Sequence, residues 1–97
     1  MLDIENAKEI QILPIPNFIF EFNEYVIKFN WRKGVIYASF MRDNIDIVNG
    51  RLMAYNESVE IENYTFMLFN PYLTDTFPWT GLGSEIKLLY SKKQGTA

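Results

Sequence analysis

The residues of this chain that could do chemistry are few, and their spacing limits each of them. Asp43 and Asp46 are the only closely spaced aspartates. A divalent-cation site wants three or more oxygen ligands at defined spacing. Ile45 and Ile47 alternate with Asp46, so Asp46 reads as the wet face of a strand. Glu57, Glu60 and Glu62 form an acidic patch, with Val59 and Ile61 alternating beside the last two, and the same reading applies. Gly81-Leu82-Gly83-Ser84 resembles half of a phosphate loop. Such loops precede a helix N-terminus, whereas this one precedes a strand, so it reads as a tight turn needing positive φ. Ser39, Ser58, Ser84 and Ser91 have no histidine to activate them, because the chain contains none.

The missing residue types exclude more than the present ones suggest. With no cysteine there is no disulfide and no thiolate site. With no histidine, the commonest catalytic base and the commonest metal ligand are both absent. A carboxylate pair is the one general base of ordinary type that remains. The sequence is therefore read as that of a non-enzyme, with no catalytic, metal-ligating or cofactor-binding residue.

Trp31, Trp79 and the tyrosines are possible stacking platforms for a single-stranded nucleic acid or a sugar. Nucleic-acid binding also needs clustered cations. The net charge is -3, and the local basic groups are the pairs Arg32-Lys33 and Lys92-Lys93. No nucleic-acid partner is expected. Trp31 is assigned to the core with its neighbours, and Trp79 to a contact surface.

The elements that must position these side chains are strands. Tyr25, Ile27, Phe29 and Trp31 fall on every second residue, with Val26, Lys28, Asn30 and Arg32 between them. That is the period of a strand with one buried face. Lys33-Gly34 supplies a turn into Val35 to Met41, giving a hairpin. Upstream, Glu9 to Leu13 alternates, and Pro14 and Pro16 stop it. Phe18, Phe20 and Phe22 share a face, and Asn23-Glu24 closes a second hairpin. Downstream, Asp43-Asn44 is a turn, Ile45 to Val48 a short strand and Asn49-Gly50 a strong turn dipeptide. Further strands are expected at Arg51 to Tyr55, at Thr65 to Phe69 and at Glu85 to Ser91. In the last, Ile86, Leu88 and Tyr90 share a face and Leu89 is an apolar exception. Phe20, Tyr25, Ile27, Phe29, Trp31, Leu88 and Tyr90 are the expected structural core.

The 97 residues suit one domain, with a β-core from about 9 to 91 and flexible termini at 1–8 and 92–97. No helical periodicity is sustained. Six to eight short antiparallel strands with regular turn signals make the fold class all-β, a small barrel or sandwich. No apolar run approaches the ~20 residues that span a bilayer, and Met1 to Glu9 lacks a signal-peptide hydrophobic region. The expectation is synthesis in the cytoplasm with no membrane partner.

The longest irregular segment, Asn70 to Ser84, carries Tyr72, Phe77, Pro78 and Trp79. Long ordered loops are usually functional, and aromatics anchor interfaces. These four residues are the candidate protein-interface set, together with one or both termini. The competing reading has the loop capping its own barrel with Trp79.

The order of the pieces carries a family resemblance. Ile12-Leu13-Pro14-Ile15-Pro16-Asn17 leads into Phe18-Ile19-Phe20. Next come Phe29-Asn30-Trp31, the turn Lys33-Gly34 and the strand Val35-Ile36-Tyr37-Ala38-Ser39-Phe40. Asp43-Asn44, Asn49-Gly50 and a run near Tyr55 follow, and the chain closes with Pro78 to Gly83 and Ile86-Lys87-Leu88-Leu89-Tyr90. From about residue 10 to 91 this resembles the small baseplate plug proteins of contractile phage tails and related tail-like particles (tailocins). The sequence departs from that pattern at Val35-Ile36-Tyr37, where an aromatic pair is commoner, and at Asp43-Asn44, where the family has Asp-Gly. The resemblance implies a structural role in the baseplate of a virion or tail-like particle. It implies contacts with hub, tail-tube or tube-initiator, spike or wedge proteins, in multiple copies of a symmetric assembly. It implies no cofactor and transfers no catalytic residue. The alternative is a free-standing small β-barrel that binds an oligonucleotide or another ligand.

Overall fold

The computed structural model describes residues 6–71 and 81–92. The described chain is all-β, with eight strands and no α-helix. They are β1 (Lys8–Ile10), β2 (Asn17–Phe22), β3 (Tyr25–Arg32), β4 (Val35–Arg42), β5 (Ile45–Met53), β6 (Val59–Ile61), β7 (Tyr64–Phe69) and β8 (Lys87–Lys92). They form two four-stranded antiparallel sheets, ordered β2-β3-β4-β5 and β1-β8-β7-β6. The inner faces meet across aromatic contacts such as Phe22–Phe66 and Phe40–Phe66, with centroids 5.8 and 5.1 Å apart. The architecture is a sandwich.

The first sheet is a meander because its turns are built for hairpins. Phe22 pairs with Tyr25, Arg32 with Val35 and Arg42 with Ile45, leaving two-residue loops at Asn23-Glu24, Lys33-Gly34 and Asp43-Asn44. Lys33 and Gly34 both have positive φ, as do Asp43 and Asn44, the backbone that matches the right-handed strand twist. Glu62-Asn63 joins β6 to β7 in the same two-residue way.

The core is one cluster shared by both sheets. Tyr25, Ile27 and Phe29 of β3, Ile36, Ala38 and Phe40 of β4, Phe66 and Leu68 of β7, and Leu88 of β8 are all buried. Phe18, Phe20, Phe22, Trp31 and Tyr90 pack against them from the margin and stay half-buried. Of the expected core residues, Tyr25, Ile27, Phe29 and Leu88 lie deep, while Phe20, Trp31 and Tyr90 form its rim.

Four local expectations are corrected. The first strand covers Lys8–Ile10 rather than extending to Leu13, which is exposed. Ile45 to Val48 and Arg51 to Tyr55 are not separate strands, because β5 runs through Ile45–Met53. Asn49-Gly50 is therefore no turn. It is a β-bulge, where the β4–β5 register slips between Ala38 and Phe40, and a second slip follows between Phe40 and Met41. The strands also reach Lys8 and Lys92, one residue beyond each end of the expected core.

Leu89, the apolar exception, has a partner. It lies on the outer face of the second sheet with Met67, and both are nearly buried, with Ala7 and Phe69 packed against them. The second sheet thus buries apolar side chains on both faces. That is why β7 reads as an unbroken apolar run from Phe66 to Phe69 instead of alternating.

Candidate functional site

Three arrangements of polar side chains stand out, and two of them hold the fold together. The first ties the hairpin ends of the two sheets. Tyr25 Oη donates to Glu62 Oε1 at 2.6 Å, and Arg42 Nη1 lies 2.8 Å from the same oxygen. Asn23 Nδ2 donates to Tyr64 Oη at 2.9 Å. Asn23, Tyr25 and Arg42 belong to the first sheet and its turns, Glu62 and Tyr64 to the β6–β7 hairpin. Burial pushes the Tyr25 phenol up to about 12, and the accepting Glu62 carboxylate adds to the shift. A phenol held neutral in this way is a poor base and nucleophile at ordinary pH, so the cluster acts as a clasp.

The second arrangement fills the bulge. Ser39 Oγ accepts from the Gly50 N–H at 2.9 Å and donates to Asn49 Oδ1 at 3.1 Å. Ser39 therefore supplies the hydrogen-bond partner that the slipped strand register removes. A comparable pair fastens the β5–β6 crossover. Asn56 Nδ2 donates to the Asn70 carbonyl and Asn56 Oδ1 accepts from the Asn70 N–H, both at 2.8 Å.

The third arrangement is open to solvent. Asn17, Asn30, Trp31, Arg32, Tyr37 and Gly50 line a depression of about 520 Å³. Asn17 and Asn30 oppose each other in register across β2 and β3. The Arg32 guanidinium stands 5.9 Å above the Tyr37 ring, a cation–π distance. Trp31, near the end of β3, is half-buried against the core margin and is also among the residues that border this depression.

The remaining sequence candidates are placed as follows. Asp46 is exposed on β5 and pairs with Met41, a wet strand position. Among the described residues no group of three or more Asp or Glu side chains could hold a metal ion. The Gly81–Ser84 segment is a tight turn: Gly83 has φ +86, its N–H donates to the Ile86 carbonyl, and the Ile86 N–H donates to the Gly81 carbonyl. Ser84 Oγ contacts the Glu85 carboxylate and holds that exposed group below the usual carboxylate range. Tyr72, Phe77, Pro78 and Trp79 lie outside the described residues. The clasp was not legible in the sequence, since its partners Tyr25 and Glu62 are 37 positions apart.

The described surface also carries apolar side chains that the fold does not cover. Leu13, Ile15, Ile19 and Val26 are exposed, Ile19 to 64% and Leu13 to 55%. They follow one another through the β1–β2 connection, β2 and the start of β3. Ile45 and Leu52 are exposed on β5.

Comparison of the chain with protein-family models, with curated proteins and with solved structures finds no match.

Proposed function

We propose that this protein is a structural assembly subunit of a contractile-tail baseplate, of a phage or of a tail-like particle, and that it works by packing against neighbouring proteins. The observation that carries the protein-binding part is the run of exposed aliphatic side chains Leu13, Ile15, Ile19 and Val26. Single exposed aliphatics are ordinary, but Ile19 and Val26 share the outer face of the adjacent strands β2 and β3, and apolar side chains gathered on one face favour a surface that a partner covers. The order of motifs from the Leu13-Pro14 segment to the strand that carries Tyr90 supports the baseplate as the setting. The proposed neighbours are hub, tube or tube-initiator, spike or wedge proteins, with Tyr72, Phe77, Pro78 and Trp79 as further contacts.

The test is made in the organism that encodes the chain. A tagged copy should sediment with purified contractile tails, and deletion of the gene should leave tails without complete baseplates. Tails of normal form and number in the deletion strain, with the tagged chain remaining in the slow-sedimenting fraction, would reject the reading.

One observation favours the alternative of a ligand-binding module. The depression beside Trp31 joins an aromatic face, two amides and one guanidinium, the mixture that small-molecule sites use. Titration with single-stranded oligonucleotides and with soluble sugars, read by Trp31 fluorescence and compared with Trp31→Phe, decides whether it is occupied.

A further inference from the structure

The sandwich has four sheet edges, and they are not alike. β1 and β6 are edge strands of only three residues each. β5 is long but slips register twice and contains Gly50 at φ +67. Short strands and bulges are the usual devices that stop an edge from pairing with another chain. β2 has neither. Its six residues pair with β3 without a break, and no other strand pairs with it among the described residues.

The ladder pattern shows which of its backbone groups are open. The Trp31 N–H donates to the Pro16 carbonyl at 2.8 Å, so these two residues form a hydrogen-bonded pair. Antiparallel pairs alternate between hydrogen-bonded and non-hydrogen-bonded. Phe18–Phe29, Phe20–Ile27 and Phe22–Tyr25 are then bonded pairs, and Asn17–Asn30, Ile19–Lys28 and Glu21–Val26 are not. The N–H and C=O groups of Asn17, Ile19 and Glu21 therefore point away from β3, along the edge. The Ile19 side chain is also exposed, and Phe18 and Phe20 are only half-buried on the core side.

We propose that β2 pairs antiparallel with β2 of a second copy of this chain, with Ile19 on the twofold axis, so that two sandwiches share one continuous eight-stranded sheet. Self-complementarity selects this occupant. With Ile19 opposite Ile19 of the second copy, Asn17 faces Glu21 of the second copy, and an amide donates well to a carboxylate. No like charges meet. Phe18 falls opposite Phe20 of the second copy on the core face, extending the existing Phe18–Phe20 stack. Phe22 falls opposite Pro16 of the second copy at a non-bonded position, where the missing proline N–H leaves no gap. The interface is isologous, as a twofold dimer requires. The inference goes beyond the baseplate reading and does not depend on it.

Sedimentation equilibrium of the purified chain tests the pairing. Dimer is expected by about 100 µM, and Ile19→Lys, which sets two ammonium groups together on the axis, should weaken association at least about tenfold. Ile19→Pro should do the same and keep the thermal transition, because the Ile19 N–H serves no bond to β3. A wild-type chain that stays monomeric, or an Ile19→Lys variant that dimerises as well as wild type, overturns the proposal. Register is tested with cysteines, since the chain has none of its own. Ile19→Cys should form an intermolecular disulfide under mild oxidation. Asn17→Cys and Glu21→Cys should each cross-link poorly alone and well when mixed. Equal cross-linking of Glu21→Cys alone would rule out this register.

Discussion

Tyr25 and Glu62 meet across the two sheets, the phenol donating to the carboxylate at 2.6 Å while Arg42 holds the same oxygen at 2.8 Å. Glu62 has φ +52 in its turn, so a residue other than glycine occupies a left-handed position where its side chain makes the clasp. Removing either partner should loosen the junction of β3 with the β6–β7 hairpin. Tyr25→Phe and Glu62→Gln should each cost ~0.5–1.5 kcal/mol, the net worth of one hydrogen bond, with the partly exposed Arg42 contact adding little. Urea denaturation of the single and double variants should show a coupling energy of the same order. Strict additivity would mean the clasp carries no stability.

The same phenol makes stability fall at high pH. The folded state holds Tyr25 at about 12, above the ordinary value of 10.0, so folding favours the neutral form. The resulting stabilisation is complete below pH 10.0 and is lost as pH rises through about 12. Tyr55, raised by burial and donating to the Gly34 carbonyl, acts in the same direction. Urea midpoints measured across this interval should fall, and Tyr25→Phe should flatten the decline without abolishing it.

Two glycines with similar backbone angles should respond differently to substitution. A Cβ on Gly83, at φ +86, would collide with the backbone carbonyl oxygen of Ile12, a buried core residue. A Cβ on Gly50, at φ +67, would meet open space. Gly50→Ala should cost only the conformational term of ~1–2 kcal/mol. Gly83→Ala should add an overpacking cost of ~1–3 kcal/mol to a similar term. Comparable melting temperatures for the two variants would show that the Ile12 contact relaxes freely.

Phe29 and Trp31 are two residues apart on β3, but only Phe29 is enclosed on all sides. Phe29→Ala should lose ~3–5 kcal/mol, a large share of the ~5–15 kcal/mol of a whole domain. Trp31→Ala should lose less, ~1–3 kcal/mol, because Trp31 is only half-buried at the core margin. Thermal melts rank the two directly.

Under the proposed baseplate role, Trp79→Ala should leave the melting temperature of the isolated chain unchanged and abolish incorporation into tails. A loss of several kcal/mol in the isolated chain would instead make Trp79 a cap of its own core.

Local chemistry made most strands legible and long-range pairing hid the rest. The alternation from Tyr25 to Trp31 and the dipeptides Asn23-Glu24, Lys33-Gly34 and Asp43-Asn44 specify the β2–β5 hairpins with nearest-neighbour information. Asn49-Gly50 carries the same turn chemistry, but it is absorbed into β5 because Ser39 on the adjacent strand satisfies its backbone. Nothing within the window around position 49 encodes that rescue. The Leu89 exception was visible, but its cause was not, since Met67 lies on another strand. The clasp and the open depression likewise depend on strand order, which periodicity does not contain.

The strand order also separates the two sheets in time. Every pairing in the β2–β5 sheet joins neighbours in the chain, so its loop-closure entropy is small. The other sheet has β8 at its centre, bonded to β1 from the opposite end of the chain. Low contact order lets the first sheet form early, and the second waits for the last strand to be synthesised. Until Lys87–Lys92 emerges, Phe66 of β7, which packs on Phe40, lacks its β8 pairing partner Tyr90. A chain truncated before β8 should therefore leave apolar surface of both sheets uncovered and aggregate more readily than the full chain.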